Sequence, residues 1–181
     1  MSQSQKMRNA LSKFVIPNLV EKGFVGEYPH YKRIFDNRIE LLAFLPNKWG
    51  NSFTVEISTV FFPESKRNSN FCHSDFKSFE NVTVCDTNLR YRLKGLYDGW
   101  FYYTDVYKQK IIDHTFYNAV SEKKSKDYIP AKNEVLVQKA NNETYRKVCV
   151  EVNKQMAVAF KWWDAFNKNH SIKMKLLDFF N

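Results

Sequence analysis

Glycine is scarce in this chain and widely spaced. The 181 residues hold only five glycines, at positions 23, 26, 50, 95 and 99. A phosphate-binding P-loop and a dinucleotide fingerprint both need closely spaced glycines between a strand and a helix. No serine stands in a GxSxG pattern either. The sequence therefore excludes the common nucleotide-binding motifs and the nucleophile elbow of serine hydrolases.

Cysteine is scarce as well. Cys72, Cys85 and Cys149 form an odd set without a CxxC pair, so we expect no disulfide framework and a reducing cytoplasm. The sequence Cys72-His73 with Asp75 is the nearest approach to a metal-ligand cluster. Structural zinc needs four ligands in local pairs, and a second pair is absent. We expect no metal, no nucleotide and no other cofactor.

Long apolar runs are also missing. None approaches the ~20 residues that a membrane-spanning helix needs. The N-terminal sequence MSQSQKMRNALSKF has neither an apolar core nor a small-residue cleavage site, so we expect no signal peptide and no membrane association. Hydrophobic residues make up 44% of the chain and aromatics 17%. This composition predicts one folded, soluble domain over residues 1–181.

The strongest pattern in the chain is an apolar stripe with helical spacing near the C-terminus. It indicates a long amphipathic helix over about 143–167, capped by Asn141 or Asn142. Ser171 is placed to cap a separate short helix after it. The stripe comprises Tyr145, Cys149, Val152, Met156, Phe160, Trp163 and Phe166.

An amphipathic helix is also predicted at the N-terminus, over residues 4–22. Pro17 should kink it, and Gly23 stands at the C-cap position. The face that we expect to be buried comprises Met7, Leu11, Phe14, Val15 and Leu19.

The apolar period changes to two after Gly23. Three strands at 28–35, 39–45 and 53–61 should form an antiparallel meander, with Phe53, Val55 and Ile57 facing the helices. Two more strands are predicted at 89–93 and 99–104. Residues 62–81 suggest a long excursion, and residues 105–140 are ambiguous. Strands in one block with helices at both ends indicate an α+β fold. We expect an antiparallel sheet of about five strands with an N-terminal helix and a long C-terminal helix on one face.

The order of these segments resembles an uncharacterised bacterial family, domain of unknown function 4304. The resemblance implies a bacterial source and an α+β fold, and it carries no catalytic or binding residues with it. It rests on Gly23-Phe24, Tyr31–Ile34, the hairpin IELLAFLPNKWGNSFTVEIS, Arg90–Leu93, Trp100–Tyr103 and Trp162-Trp163.

Two arginines are the most specific candidates for a binding surface. Strand alternation places Arg90 and Arg92 on one face, where their guanidinium groups could hold a carboxylate or phosphate. The alternative, which we favour about two to one on the frequency of cross-strand ion pairs, is that they pair with Glu56. An acid/base pair among Glu56, Asp98 and Asp105 is a further hypothesis.

Aromatic residues complete the candidate surface. Trp162 and Trp163 cannot both face the core, because neighbours on a helix point about 100° apart. We therefore assign one of them to the stripe and keep Trp162 as a contact residue. The proposed binding surface is Arg90, Arg92, Trp100, Tyr103 and Trp162, and no catalytic residue is assigned.

The net charge of the chain does not decide which class of partner it binds. The net charge is +9 and the pI about 9.4, which is compatible with nucleic acid or an acidic protein. Because enzyme motifs are absent and several aromatic residues have no assigned place in the core, we favour a non-enzymatic protein-binding or antagonist-type module. A nucleic-acid-binding protein is the alternative, and an enzyme of unrecognised type is the third hypothesis. The sequence does not indicate an oligomeric state.

Overall fold

The computed structural model describes residues 1–61, 80–95, 99–104 and 140–179, with side chains described up to residue 168. Within these ranges an antiparallel sheet lies against helices from both ends of the chain. The helices are α1 (Gln3–Phe14), α2 (Ile16–Glu21) and α3 (Asn142–Phe179). The strands are β1 (Val25–Glu27), β2 (His30–Ile34), β3 (Arg38–Pro46), β4 (Ser52–Phe61), β5 (Tyr91–Arg92) and β6 (Phe101–Tyr102).

The N-terminal helix is interrupted where Pro17 predicts a kink. α1 ends at Phe14, and α2 begins at Ile16, so that Pro17 lies in the first turn of a new helix, where its missing N–H costs nothing. Met7, Leu11, Val15 and Leu19 are buried as expected. The prediction for Phe14 is wrong, because this side chain is 38% exposed.

Gly23 ends α2 in a Schellman motif, as its position predicts. Its φ is +84°, a conformation that glycine adopts without steric cost. Its N–H donates to the Val20 carbonyl over 2.9 Å, and the next N–H, of Phe24, donates to Leu19 over 3.0 Å. This turn directs Phe24 into the core, where it is 1% exposed.

The sheet has the order β1-β2-β3-β4-β5, and β6 also pairs with β4. All of the pairings are antiparallel, and the β3–β4 hairpin is the longest, with Arg38 opposite Phe61 and Pro46 opposite Phe53. The meander and the α+β architecture are therefore confirmed. β1 was not predicted, and β5 and β6 are two residues each, shorter than the predicted strands.

Two apolar clusters cover the two faces of the sheet. Phe53, Val55 and Ile57 face the helices and belong to the larger cluster, as their alternation predicts. The smaller cluster lies on the other face, where Val82 and Val84 pack against β3 and β4. We call these sides the helix face and the outer face of the sheet.

The long helix α3 carries the predicted stripe. Asn141 caps it by accepting the Thr144 N–H over 2.9 Å. The helical period predicts that Gln155, Lys161 and Lys168 are exposed; Lys161 and Lys168 are, whereas Gln155 is half-buried. Phe160, which the stripe predicts to be buried, is only half-buried. The residues of the stripe that are buried are Tyr145, Cys149, Val152, Met156 and Trp163.

The separate terminal helix that Ser171 was expected to cap is not formed. α3 continues to Phe179, with 38 residues in one helix. The range contains neither glycine nor proline, so no residue breaks the helix there. Among the helices of the described ranges, none combines the length and the apolar character needed to cross a bilayer. The expectations for residues 62–79 and 105–139 lie outside the described residues.

Shortening a side chain at the centre of the sheet should lower the stability of the protein. We expect Ile57→Ala to lower the free energy of unfolding by roughly 2–5 kcal/mol, because Ile57 is fully buried and the change leaves a cavity. Ile34→Ala is the matched control, since Ile34 is 58% exposed; it should change stability by about 0.5 kcal/mol or less. Urea titration measures both, and equal losses would contradict the assignment of Ile57 to the core.

Two thiols give an internal comparison of burial. Cys149 is 1% exposed, and burial raises its pKa to about 12, whereas Cys85 is exposed. Since only the thiolate is alkylated, iodoacetamide at neutral pH should label Cys85 in the native protein and Cys149 only in denaturant. Peptide mass mapping reads out both sites, and rapid native labelling of Cys149 would show that the stripe is open.

Candidate functional site

Arg90 and Arg92 lie on the outer face, at the β5 edge of the sheet. Arg92 stands directly opposite Glu56 in the β4–β5 register. Its Nε and Nη2 donate to Oε1 of Glu56 over 3.1 and 2.8 Å. Arg90 donates Nη1 to Oε2 of the same carboxylate over 3.4 Å. The cross-strand pairing that we favoured from the sequence is therefore the one that forms.

Pairing does not remove these arginines from solvent. The Arg90 side chain is 38% exposed and that of Arg92 is 49% exposed, whereas the Glu56 side chain is only 7% exposed. One carboxylate thus neutralises one of two guanidinium charges. The arrangement leaves a surplus positive charge at the surface, on side chains that Glu56 holds in place.

Trp100 lies beside this pair. The Cζ of Arg92 is 5.8 Å from the centre of the Trp100 ring, within the range of a cation–π contact. The backbone at Gly95 lies close to that of Trp100, and only glycine fits there, because a Cβ would stand 2.1 Å from the Trp100 carbonyl oxygen. We call Glu56, Arg90, Arg92 and Trp100 the arginine surface.

The other two candidates are not part of the arginine surface. Tyr103 is 2% exposed and packs between Phe53 and Tyr145, with ring centres 6.2 Å from each. It is a core residue, and its burial raises its pKa. Trp162 is half-buried on the helix face, where it stacks between Tyr91 and Phe166 at 5.9 and 4.9 Å.

A second ionic cluster, which sequence reasoning missed, surrounds Glu40 on the helix face. Arg33 donates Nε over 2.9 Å and Nη2 over 2.5 Å to Oε2 of Glu40. Arg38 and Asn167 donate to Oε1 over 3.1 and 3.0 Å. The Glu40 side chain is 1% exposed. We call these four residues the Glu40 cluster.

Aromatic rings complete the surroundings of Arg33. Its Cζ lies within 5.0 to 6.0 Å of the ring centres of Phe24, Phe35, Phe160 and Trp163. Because both oxygens of Glu40 accept hydrogen bonds, the carboxylate is committed to structure and is a poor candidate for proton transfer. The hairpin register could have revealed the pair, since Arg33 is directly opposite Glu40.

The proposed acid/base set and the weak metal candidate receive no support from the described residues. Asp98, Asp105 and the group Cys72, His73 and Asp75 lie outside those ranges. Within them, no three histidine, cysteine, aspartate or glutamate side chains are grouped closely enough to hold a metal ion.

The two carboxylates should differ in their effect on stability. Glu40→Gln should cost about 3–5 kcal/mol, because it leaves the largely buried Arg33 without its counterion. Glu56→Gln should cost about 1 kcal/mol, since the more exposed Arg90 and Arg92 can regain hydration. Both changes preserve side-chain shape, and urea titration compares them. A larger loss for Glu56→Gln would contradict this ranking.

Comparison with known proteins gives a family and no activity. The family model described as "Domain of unknown function (DUF4304)" matches residues 15–165. No curated protein and no solved structure matches the chain. The matched range runs from the junction of α1 and α2 into α3 and includes the arginine surface and, except for Asn167, the Glu40 cluster. The chain therefore belongs to the DUF4304 family.

Proposed function

We propose that this chain is a non-enzymatic protein-binding module of the bacterial cytoplasm, and that its arginine surface binds an acidic segment of another protein. The observation that carries the proposal is that two exposed arginines share one carboxylate beside a half-buried tryptophan. Arginine and tryptophan are the residue types most enriched at the energetic centres of protein interfaces. An acidic partner would supply the second carboxylate that the pair lacks.

The hydrogen-bond geometry supports carboxylate recognition. Arg92 uses Nε and Nη2 for Glu56, and its Nη1 hydrogens have no acceptor among the described residues, so they can serve a ligand. Arg90 makes a single, long contact to Glu56, which leaves most of its donors available. Lys94 is exposed and follows β5, adding another positive charge. Two prepositioned guanidinium groups can each donate a pair of hydrogen bonds to a carboxylate and so fix its orientation. The ammonium group of a lysine does not provide this geometry.

The charge pattern of α3 favours protein over nucleic acid. Lys147 pairs with Glu143 over 2.8 Å, and this hydrogen bond lowers the pKa of Glu143. Lys154 lies 3.7 Å from Glu151. Acidic residues therefore interrupt the lysines along the helix, whereas a nucleic-acid surface typically presents a continuous basic stripe. The cytoplasmic part of the proposal is supported by the unpaired thiols of Cys85 and Cys149.

Binding of a fluorescein-labelled oligoglutamate peptide tests the proposal, with duplex DNA of equal charge as the competing probe. We expect Arg90→Gln/Arg92→Gln to weaken peptide binding about tenfold or more, equivalent to ~1.4 kcal/mol. The matched control, Lys147→Gln/Lys154→Gln, removes the same charge from α3 and should bind as the wild type does. Fluorescence anisotropy measures all of these affinities.

A second variant separates recognition from folding. Arg90→Lys/Arg92→Lys keeps both charges and the ion pairs with Glu56, but it removes the guanidinium forks. It should fold normally and still bind the peptide more weakly. Equal weakening by Arg90→Gln/Arg92→Gln and by Lys147→Gln/Lys154→Gln would show only a general charge effect and would overturn the proposal. Wild-type affinity in both arginine variants would overturn it as well. Tight DNA binding with a log–log salt slope of about −4 or steeper would instead establish the nucleic-acid alternative.

A further inference from the structure

An open groove with a volume of about 460 Å³ lies between α1 and the first turn of α3. Lys6, Ala10, Lys13 and Phe14 line it from α1, where their spacing places them on one helical face. Asn142, Tyr145 and Arg146 line it from α3. The volume is within the range of small-molecule sites. The groove also accounts for the exposure of Phe14, which the apolar stripe of α1 does not explain.

The groove has a strongly positive lining. Lys6, Lys13 and Arg146 contribute three cationic side chains, and none of them forms an ion pair in the described part of the chain. The described lining residues include no aspartate or glutamate. This differs from both arginine clusters of the sheet, where a buried carboxylate is already present.

Tyr145 adds a hydroxyl group that lacks a partner. The residue is 2% exposed, and its hydroxyl makes no hydrogen bond within the described structure. Burial raises its pKa, so the hydroxyl stays protonated and can donate. Nearly all buried polar groups in native proteins are hydrogen-bonded, and an unpaired one indicates a missing acceptor.

The dipole of α3 also favours an anion in the groove. Asn142 is the first residue of this helix and lines the groove, which therefore lies at the positive end of the 38-residue helix. Anions are stabilised at helix N-termini by the aligned peptide dipoles. The cations, the tyrosine hydroxyl and the dipole all favour a compact, multiply charged anion.

We propose that this groove binds a small phosphate monoester. A dianionic phosphate group would lie among Lys6, Lys13 and Arg146 and accept the hydrogen bond of the Tyr145 hydroxyl. The apolar part of the molecule would pack on Phe14 and Ala10. A monocarboxylate matches the site less well, because it brings half the charge to three cations. The groove shares no residue with the arginine surface, so either site can fail its test alone.

Calorimetric titration with phenyl phosphate tests the assignment. We expect saturable one-to-one binding, and benzenesulfonate, which has a similar shape but a single charge, should bind about tenfold or more weakly. Lys13→Gln/Arg146→Gln should weaken phenyl phosphate binding about tenfold or more. The control Lys154→Gln/Lys161→Gln removes two charges elsewhere on α3 and should leave the affinity unchanged.

Tyr145→Phe distinguishes a ligand contact from a structural role. It should weaken phenyl phosphate binding about tenfold, the usual loss for a hydrogen bond to a charged group. Since the hydroxyl has no partner among the described residues, the melting temperature should not fall. Absence of phenyl phosphate binding at millimolar concentration would overturn the proposal. So would equal affinity for benzenesulfonate, or unchanged affinity in both the Lys13/Arg146 and Tyr145 variants.

Discussion

The packing of Trp163 against the central strand is the interaction on which the rest of the fold depends. Its side chain is fully buried, and its indole Nε1 donates to the Ser58 carbonyl of β4 over 2.9 Å. Its ring packs on Phe24, with centres 5.4 Å apart, just after the glycine turn that ends α2. One side chain thus joins the last helix, the longest strand and the N-terminal helical segment.

The same constraint explains why the two ionic clusters differ. Helix α3 covers Glu40, so Asn167 and two arginines must satisfy the carboxylate in a nearly closed site. Glu56 lies on the outer face, where α3 does not reach, and its arginines keep much of their surface in solvent. A buried charge that is fully paired contributes specificity to the fold, whereas a half-exposed arginine pair remains available for recognition. The Glu40 cluster therefore serves the fold, and the binding role that we propose falls to the arginine surface.

Periodicity predicted those parts of the fold in which one face is continuously buried. The α3 stripe and the alternation of β4 both follow from burial, and Pro17 and Gly23 predicted the helix ends because their backbone preferences are local. The prediction was wrong where tertiary packing decides. Leu89–Leu93 alternates like a strand, yet β5 is only Tyr91–Arg92, and the Leu89 carbonyl accepts the Ser58 hydroxyl over 2.6 Å.

The site was predictable only in part, for a related reason. Alternation gave the shared face of Arg90 and Arg92, and the Glu56 partner followed from cross-strand pairing. The aromatic pattern did not separate Tyr103, which lies in the core, from Trp100, which lies beside Arg92. These two residues flank β6, so their placement depends on the bounds of that strand, which were predicted too long. The groove between α1 and α3 was missed altogether, since its two walls are more than a hundred residues apart in sequence.

Native-state hydrogen exchange tests the central claim, that α3 and the sheet form one cooperative unit held by the Trp163 contact. Amides in β3 and β4 and those of α3 near Val152 and Met156 should exchange with a common free energy, equal to that of global unfolding. Exchange of the α3 amides at a distinctly lower free energy than those of β3 and β4 would contradict the claim. It would show that the helix detaches while the sheet remains folded.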